Sequence, residues 1–548
     1  MHQSVPGTNV TNQISPSRAR WLGLARLRAA VVGLMCVALH ALPQLALAQS
    51  PTYGNAADVP AMRRVSGMIM LDYSAINLRG GGDFDLLSYR YLQQANDWLY
   101  FGVGAFAPMV RGNYGGFYGA DATLHAQTPI AGNWFVNGGL SVGVGAGGSS
   151  VNNIRQFSGQ GLYGRAYVGI GYSTRHLSFG VNYSRVAIAE SPINDAGLNF
   201  FVQRRLGFSV GSYADTGRRL RADQFESPRN ANILSFQVSN IEQISPTGSY
   251  GGPIGVISPQ FTHFLNRDYY TFFGVEIGYA GLDWYNQAQA GFGRRFALSP
   301  RVNLYGQIGL GSGGWVTDTI NTGSGVVIYP KVTLEYMLND TIGAQLSAGY
   351  FLAPTGTSRN WTIGAGLSYH LSGGNSQQPG VRGDDYALHG VRLNVFGRAT
   401  SPINYNGRTT EGIALVAVQA DYTLSRHWYA SAQIAAAATD FRGYAGYAEG
   451  FFGLGWQSNP SRSGRFQGYA QLMYGLNDVG VTSGHYVGPL IYPAIGANFH
   501  VNDRLSIYGQ IGAAYSIGHL IDSNITNQFS NFSLGLGVTY RFSLPSRT

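Results

Sequence analysis

Short stretches that alternate polar and apolar residues recur along almost the whole chain, and they constrain the fold more than any other feature. Residues 121–127 carry Asp, Thr, His and Gln at every second position, with Ala, Leu and Ala between them. The pentapeptide Tyr-Gly-Gln-Ile-Gly occurs twice, from Tyr305 and from Tyr508, and both copies alternate in the same way. Successive side chains of a strand point to opposite faces, so this period of two predicts strands that are polar on one face and apolar on the other.

Two kinds of connection separate the predicted strands. Short turns such as QQANDW, LNRDY and VNDRL contain the Asn and Asp residues that tight hairpins use. They alternate with longer connections rich in Gly, Ser and Thr, such as ISPTGSYGGPIG. Short turns at one end and longer loops at the other are typical of transmembrane β-barrels.

The composition favours a membrane protein without spanning helices. Charged residues make up 11% of the chain, against about 25% in an ordinary soluble domain. The mean hydropathy is only −0.05, and after Ala48 no stretch approaches the roughly 20 apolar residues that a spanning helix needs. A closed barrel, in which every backbone group pairs with a neighbouring strand, is the other way to cross a membrane. A β-rich secreted protein outside the membrane is the alternative.

The beginning of the chain has the features of a secretory signal peptide. Four arginines precede an apolar run over residues 29–42, and Ala46-Leu47-Ala48 provides the small-residue pattern at which such peptides are cut. An uncleaved membrane anchor is the alternative. The single cysteine, Cys36, lies inside this segment, so we expect a mature chain without disulfides.

The predicted strands fall into three similar groups of about eight. We expect a signal peptide at residues 1–48, an N-terminal segment at 49–62, strand groups at 63–211, 231–371 and 388–544, linkers at 212–230 and 372–387, and a tail at 545–548. Two all-β architectures fit this pattern. We favour one antiparallel transmembrane β-barrel of about 24 strands, because several barrels in one chain are rare. A tandem of smaller barrels is the alternative, which the two linkers favour.

The last predicted strand carries the one resemblance to a known class of proteins. Phe532, Leu534 and Leu536 share a face, and the strand ends with Tyr540 two residues before Phe542. This pattern resembles the C-terminal signal of bacterial outer-membrane β-barrel proteins, apart from the SLPSRT that follows it here. The resemblance implies a location in the outer membrane of a Gram-negative bacterium, with outer-membrane lipid and the barrel-assembly machinery as partners. It indicates no narrower family.

Catalytic and nucleotide motifs occur only where their structural context is missing. Residues 143–148 and 309–314 match G-x-G-x-x-G, but no helix is predicted to follow either match, and a phosphate site needs a helix N-terminus. Residues 139–143 and 207–211 match G-x-S-x-G within predicted strands rather than at a strand-to-helix elbow. We therefore expect no enzyme activity, no cofactor and no metal site. The basic residues are scattered, so we expect no nucleic-acid partner.

The polar face of the strands supplies the candidate functional residues. In a barrel this face points to the interior, where it packs or lines a pathway. The leading hypothesis is a channel for polar solutes or for export of a glycan polymer, whose sugar faces would stack on tyrosines. A non-conducting structural or surface-interaction barrel is the alternative. The candidate lumen-lining residues are Asp121, His125, Arg165, Glu276, Gln287, Gln289, Arg295, Tyr305, Gln307, Glu449, Tyr508 and Gln510.

Overall fold

The computed structural model describes the chain from residue 62 to residue 547 with gaps. The described ranges are 62–79, 81–146, 161–189, 191–221, 232–246, 251–282, 285–313, 320–339, 342–370, 385–405, 408–409, 411–438, 447–481, 484–517 and 528–547. The predicted signal peptide and Cys36 lie outside them. Within these ranges, no helix is long and apolar enough to cross a membrane.

The first eight strands form a closed antiparallel barrel, which we call barrel 1. Each strand pairs with the next along the chain, and β1 pairs with β8 to close the ring. The strands are β1 (Arg63–Asn77), β2 (Asp83–Gln94), β3 (Leu99–Ala107), β4 (Tyr118–Ala131), β5 (Trp134–Ala146), β6 (Leu162–Ser173), β7 (Ser178–Ile188) and β8 (Asn194–Val210).

A second group of eight strands closes in the same way, as barrel 2. Its closing pair, β10 with β17, runs in register from Ile233 opposite His370 to Gln243 opposite Asn360. The strands are β10 (Asn232–Gln243), β11 (Ile254–Phe264), β12 (Tyr269–Ala280), β13 (Asn286–Ser299), β14 (Val302–Gly313), β15 (Val326–Met337), β16 (Ile342–Leu352) and β17 (Arg359–His370).

Barrel 3 has eight long strands and three short additions. Its long strands are β18 (Asp385–Thr400), β21 (Ala414–Thr423), β22 (Trp428–Ala437), β23 (Ala448–Gln457), β24 (Phe466–Val481), β25 (Gly484–His500), β26 (Leu505–Ser516) and β27 (Phe529–Arg547). β27 pairs with β18 to close this ring. The additions are β19 (Asn404–Tyr405) and β20 (Arg408–Thr409), beside β27, and β9 (Arg219–Arg221), which comes from the chain between barrels 1 and 2.

The expectation of one barrel of about 24 strands is wrong, and the alternative of tandem smaller barrels is what the structure has. The all-β antiparallel fold and the three groups of about eight strands are confirmed. The first and last strands of each group pair with each other instead of with the neighbouring group. Closure within a group removes both exposed edges, and it joins strands that are much closer in the sequence than the ends of a 24-stranded ring would be.

Strands are present inside both predicted linkers and inside the predicted tail. Residues 213–215 form a single 3₁₀ turn and Arg219–Arg221 forms β9, both within the expected linker at 212–230. β18 begins at Asp385, inside the expected linker at 372–387, and β27 continues through Arg547, inside the expected tail at 545–548. Strand pairing between Tyr386 and Arg547 explains both extensions, because each segment supplies the other's hydrogen-bond partner. The remainder of each linker lies outside the described residues.

The predicted alternation places the apolar residues outside and the polar residues inside. On β4, Asp121, Thr123 and His125 are buried; on β27, Leu534 and Leu536 are more than 60% exposed. Aromatic residues near strand ends are typical of the girdles at the membrane interfaces, and the sequence predicts this position for Trp98, Trp134, Tyr270, Trp361 and Trp428. The four tryptophans lie on the outer face. The fifth, Tyr270, is buried, and its neighbour Tyr269 takes the outer position. The prediction for Tyr270 was wrong by one residue in the strand, and neighbouring residues of a strand point to opposite faces.

The short turns have a repeated geometry. In the turns before β3, β12 and β26, an asparagine side-chain oxygen accepts a hydrogen bond from the backbone N–H three residues later, at 2.8–2.9 Å; these asparagines are Asn96, Asn266 and Asn502. This is the local bond that favours asparagine in tight turns. The predicted short turns are therefore confirmed as the hairpins at one end of the barrels.

Each barrel contacts both of the others. The Tyr118 hydroxyl of barrel 1 donates to the Ser312 carbonyl oxygen of barrel 2 at 2.6 Å. The Phe101 ring of barrel 1 packs edge-on against Tyr540 of barrel 3, with 5.8 Å between ring centroids. The rings of Phe236 in barrel 2 and Phe452 in barrel 3 lie 5.3 Å apart.

Candidate functional site

Two arginines and two aspartates meet inside barrel 1. The Arg90 guanidinium donates to Asp121 through Nε and Nη2, at 3.1 and 2.6 Å, and to Asp72 through Nη1 at 2.5 Å. Arg165 Nη1 donates to the same Asp72 oxygen at 2.6 Å. These residues lie on β1, β2, β4 and β6, and each of the four side chains is at most 1% exposed to solvent. The network has no net charge and spans the interior of the barrel.

A single carboxylate gathers donors from three strands inside barrel 2. Glu335 Oε2 accepts from the Tyr305 hydroxyl at 2.6 Å and from Asn303 Nδ2 at 2.9 Å. Its Oε1 accepts from the Ser368 hydroxyl at 2.5 Å and from Gln345 Nε2 at 3.4 Å, and it lies 3.0 Å from His370 Nε2. This set satisfies a buried carboxylate, which would otherwise be costly to remove from water. The carboxylate stands between the serine and the histidine, whereas nucleophilic catalysis needs the histidine directly against the serine.

The rest of barrel 2 holds a second charged region. Glu276 interacts electrostatically with Lys331, the only lysine of the chain, and both side chains are buried. Arg295 lies near the short-turn end, where its Nη2 donates to the Arg267 carbonyl oxygen at 2.6 Å. Tyr and Gln pairs fill the space between these charges, as where the Tyr285 hydroxyl donates to Gln287 at 2.7 Å.

Barrel 3 contains two ion pairs at different heights. Asp421 accepts from Arg392 Nε at 3.1 Å and from the Ser431 hydroxyl at 2.7 Å, so it joins two strands. Arg398 forms a second buried ion pair with Glu449, whose other oxygen accepts from the Tyr447 hydroxyl at 2.7 Å. The guanidinium planes stack on tyrosine rings, with Arg392 Cζ 4.4 Å from the centre of the Tyr429 ring.

All twelve residues selected from the sequence are buried inside the barrels. Barrel 1 holds Asp121, His125 and Arg165; barrel 2 holds Glu276, Gln287, Gln289, Arg295, Tyr305 and Gln307; barrel 3 holds Glu449, Tyr508 and Gln510. Asp121 and Arg165 join one network through Arg90 and Asp72. The residues of different barrels do not form one common lining, because each barrel closes on itself. Their role along a pathway for solutes stays a prediction.

Six residues at the centres of the buried charge networks were not among the candidates selected from the sequence; they are Asp72, Arg90, Glu335, Arg392, Arg398 and Asp421. A signal for them exists in the alternation. Glu335 stands between Leu334 and Tyr336, as Asp72 stands between Leu71 and Tyr73, and in both cases the flanking residues occupy the opposite face. A charged residue at an inward position of an apolar strand would have identified them.

The interiors are closed by side chains, yet several polar atoms remain without a partner in the protein. Among the described residues, Arg165 Nε and Nη2 and both side-chain polar atoms of Asn137 and Gln433 are buried without a hydrogen bond. Buried polar groups in proteins are nearly always hydrogen-bonded, either to protein or to ordered water. Within the same described ranges, no group of three or more His, Cys, Asp or Glu residues is placed to hold a metal ion.

Comparison with known proteins gives only slight likenesses. No family model matches the sequence, and no curated protein matches it. The chain is similar to the copper transporter OprC at 12% identity, covering 90% of this chain and 84% of that one, with a TM-score of 0.28. It is similar to the ferripyoverdine receptor of the Pseudomonas aeruginosa outer membrane at 9% identity, covering 88% and 72%, with a TM-score of 0.27. A bacterial polysaccharide outer membrane secretin matches at 9% identity, covering 87% and 98%, with a TM-score of 0.21.

Structural similarity at these TM-scores does not indicate a function. The strand pairing alone establishes the fold. The chain shares with bacterial outer-membrane β-barrel proteins the closed antiparallel barrel, the apolar outer face and the polar interior. These features place it among β-barrel proteins of that architectural type without assigning a solute.

Proposed function

We propose that this protein is an integral outer-membrane protein whose three barrels each enclose a narrow polar pathway for small ions and solutes, closed at rest by buried ion pairs. The observation that carries the proposal is the network of Asp72, Arg90, Asp121 and Arg165 inside barrel 1. Charged residues within a membrane-spanning structure are costly, and they usually mark the route of an ion or a proton.

The polar interior favours a pathway over an inert core. Replacing a buried ion pair with well-packed apolar residues is often neutral or stabilising, so stability alone does not require these charges. Barrels 2 and 3 also place charges inside, at Glu335 and at Asp421. The polar atoms without protein partners support hydration of the interior next to the ion pairs. Arg165, Glu276, Arg295 and Glu449 would set the charge selectivity of such pathways.

The width of the barrels favours small solutes over a glycan polymer. An eight-stranded barrel has an interior that side chains just fill. A polymer would have to displace an entire network, including the five donors that surround Glu335. We therefore propose passage of small ions and polar solutes and leave polymer export as the less supported hypothesis.

A non-conducting structural barrel is the second candidate, because the filled interiors favour it directly. In that case the ion pairs would only hold the strands in register and would never part. The two candidates predict different effects of removing an ion pair: a closed pathway opens, whereas a structural core loses stability without conducting.

Single-channel recording of the refolded mature protein in a planar bilayer separates these candidates. We expect small, brief openings in the wild type and larger or longer ones in Arg90→Ala. Arg111→Ala is the matched control, because Arg111 is a partly exposed residue between β3 and β4 of the same barrel, where it pairs with Asp83 at the start of β2. Silence in the wild type and in Arg90→Ala, with folding verified, would favour the structural barrel. A single large and steady conductance would contradict three narrow barrels.

We also propose partners for the outer face and the last strand. Outer-membrane lipid would cover the apolar outer residues, and the barrel-assembly machinery would bind β27. Truncation of residues 529–547 should leave the chain unassembled in the periplasm, which cell fractionation measures; normal insertion of the truncated chain would contradict this role.

A further inference from the structure

Residues 211–221, which follow barrel 1 in the chain, contact one end of barrel 3. Gly211 pairs with Ser543 of β27 through two backbone hydrogen bonds, at 2.9 and 3.1 Å. Residues 213–215 then form the 3₁₀ turn, and Arg219–Arg221 adds to the start of β18 as β9. The contacts lie at the short-turn end, because Ser212 Oγ donates to Asp503, in the turn between β25 and β26, at 2.5 Å. We call residues 211–221 the plug segment.

Tyr213 is the part of the plug segment that enters the barrel. Its side chain is 6% exposed, and its ring lies 5.5 Å from Arg541 Cζ, a residue of β27 that is buried. A Cβ added to Gly390 would come within 2.6 Å of the same ring, so the absence of a side chain at Gly390 is what leaves room for it. The tyrosine thus occupies space that the wall of barrel 3 leaves open on its inner side.

The plug segment is connected to the ion pair inside barrel 3 through one shared acceptor. Gln457 Oε1 accepts from the Tyr213 hydroxyl at 3.1 Å and from Arg392 Nη1 at 3.1 Å. Arg392 in turn forms the ion pair with Asp421. Withdrawal of Tyr213 would therefore remove a neighbour of Arg392 and uncover the network that closes the barrel.

The plug segment is held mainly by hydrogen bonds to Leu388, Asp503 and Ser543 of barrel 3, and by one small apolar cluster. The 3₁₀ turn is three residues long and β9 is three residues long, so neither is a stable element by itself. Leu220 packs with Tyr386 and Leu388 as the apolar anchor. Local segments with few buried apolar contacts open more readily than the strands around them.

We propose that the plug segment is a gate, which leaves the short-turn mouth of barrel 3 as a unit and controls access to that barrel separately from barrels 1 and 2. The control of flux rests on the proposed function, whereas the movement of the segment does not. A ligand or protein that bound the released segment would shift this equilibrium toward the open state.

Thiol accessibility tests the movement without requiring conductance. Ser431 lies inside barrel 3 next to Asp421, and Ser347 lies inside barrel 2 next to Gln237. We would place single cysteines at Ser431→Cys and, as a control, at Ser347→Cys in the refolded mature protein, and measure the rate of labelling by a small cationic methanethiosulfonate. Cys36 falls in the predicted signal peptide, so the mature protein would contain no other thiol.

The gate predicts a selective effect of Tyr213→Ala. It should raise the labelling rate at Ser431→Cys by about tenfold or more, because removal of a large buried side chain shifts a local opening equilibrium by at least that factor. Tyr213→Phe keeps the ring and loses only the hydrogen bond to Gln457, so it should raise the labelling rate less than Tyr213→Ala does. Labelling at Ser347→Cys should not change in either variant. Equal labelling of Ser431→Cys with and without Tyr213 would overturn the gate.

Hydrogen exchange of the wild-type protein tests the movement without any substitution that could alter folding. The amides of residues 211–221 should exchange faster than those of β18 and β27, to which they are bonded; equal protection would mean a static segment and would overturn the gate. Plug-dependent labelling together with silent bilayers would contradict the proposed channel and leave the gate standing. Conductance in bilayers together with labelling that does not depend on Tyr213 would contradict the gate and leave the proposed channel standing.

Discussion

Arg90 and Asp121 are joined by two hydrogen bonds, Nε to Oδ1 at 3.1 Å and Nη2 to Oδ2 at 2.6 Å, although their strands β2 and β4 are not neighbours. The pair therefore reaches past β3 through the interior of barrel 1. Two parallel bonds between a guanidinium and a carboxylate fix both distance and orientation. The pair holds the cross-section of the barrel in one geometry.

Arg90→Ala should destabilise barrel 1 strongly, because it leaves the Asp72 and Asp121 carboxylates buried without this partner. Breaking a buried ion pair from one side costs about 3–5 kcal/mol. Urea unfolding in detergent micelles measures the change. The exposed pair of Arg111 and Asp83 provides the control, since Arg111→Ala should cost at most about 1 kcal/mol. Equal losses in both variants would contradict the role of the buried network.

Glu335→Ala should destabilise barrel 2 more than Glu335→Gln. The alanine leaves the donors of Tyr305, Asn303 and Ser368 unpaired, and each unsatisfied buried donor costs about 1–3 kcal/mol. The glutamine keeps one oxygen that accepts. The free energy of unfolding of both variants, compared with that of Glu242→Ala at an exposed position on β10, measures the difference. A loss in Glu335→Ala no larger than in Glu242→Ala would show that the carboxylate does not organise the interior.

Leu346→Arg tests whether the outer face lies in lipid. Leu346 is 63% exposed in the middle of β16, opposite Leu334 and Ala365 on its neighbours. An arginine on the lipid face at mid-membrane costs about 2–4 kcal/mol in β-barrels, and near the interface about 0–1 kcal/mol. Unfolding in lipid vesicles should therefore show a large loss for Leu346→Arg and a small one for Leu338→Arg, next to the turn after β15. No loss at Leu346 would favour a secreted protein in water.

Strand facing and turn positions could be predicted from the sequence because both depend on local rules. The alternation at residues 121–127 and in both Tyr-Gly-Gln-Ile-Gly copies gives the inner and outer faces that the structure has. The two copies are nevertheless not equivalent in position, since one lies in the fifth strand of barrel 2 and the other in the seventh long strand of barrel 3. The pentapeptide reflects a strand pattern, as expected, and not a repeated site.

Closure and cross-strand chemistry could not be predicted, because they depend on residues far apart in the chain. Nothing local distinguishes β1 pairing with β8 from β8 pairing with β10. The same limit hid the Arg90 network, whose members lie 18 to 93 residues apart, and the contact of Tyr213 with Gln457, 244 residues later. The prediction that Tyr270 lies on the outer face was wrong for a different reason. Its neighbour Tyr269 is also aromatic, so the sequence could not show which of the two tyrosines points outward.

Disulfide trapping across the closing strands tests the central claim of three separate barrels most directly. Leu71 lies opposite Val202, Val238 opposite Ala365, and Val395 opposite Val538, one pair on each seam. Directly opposed residues of antiparallel strands are within the Cα separation that a disulfide spans. Cysteine pairs at these positions in the membrane-inserted protein should each crosslink within one chain under mild oxidation. Failure of these three pairs to crosslink would contradict three barrels. Crosslinks in additional cysteine pairs between β8 and β10 and between β17 and β18 would instead indicate a single large barrel.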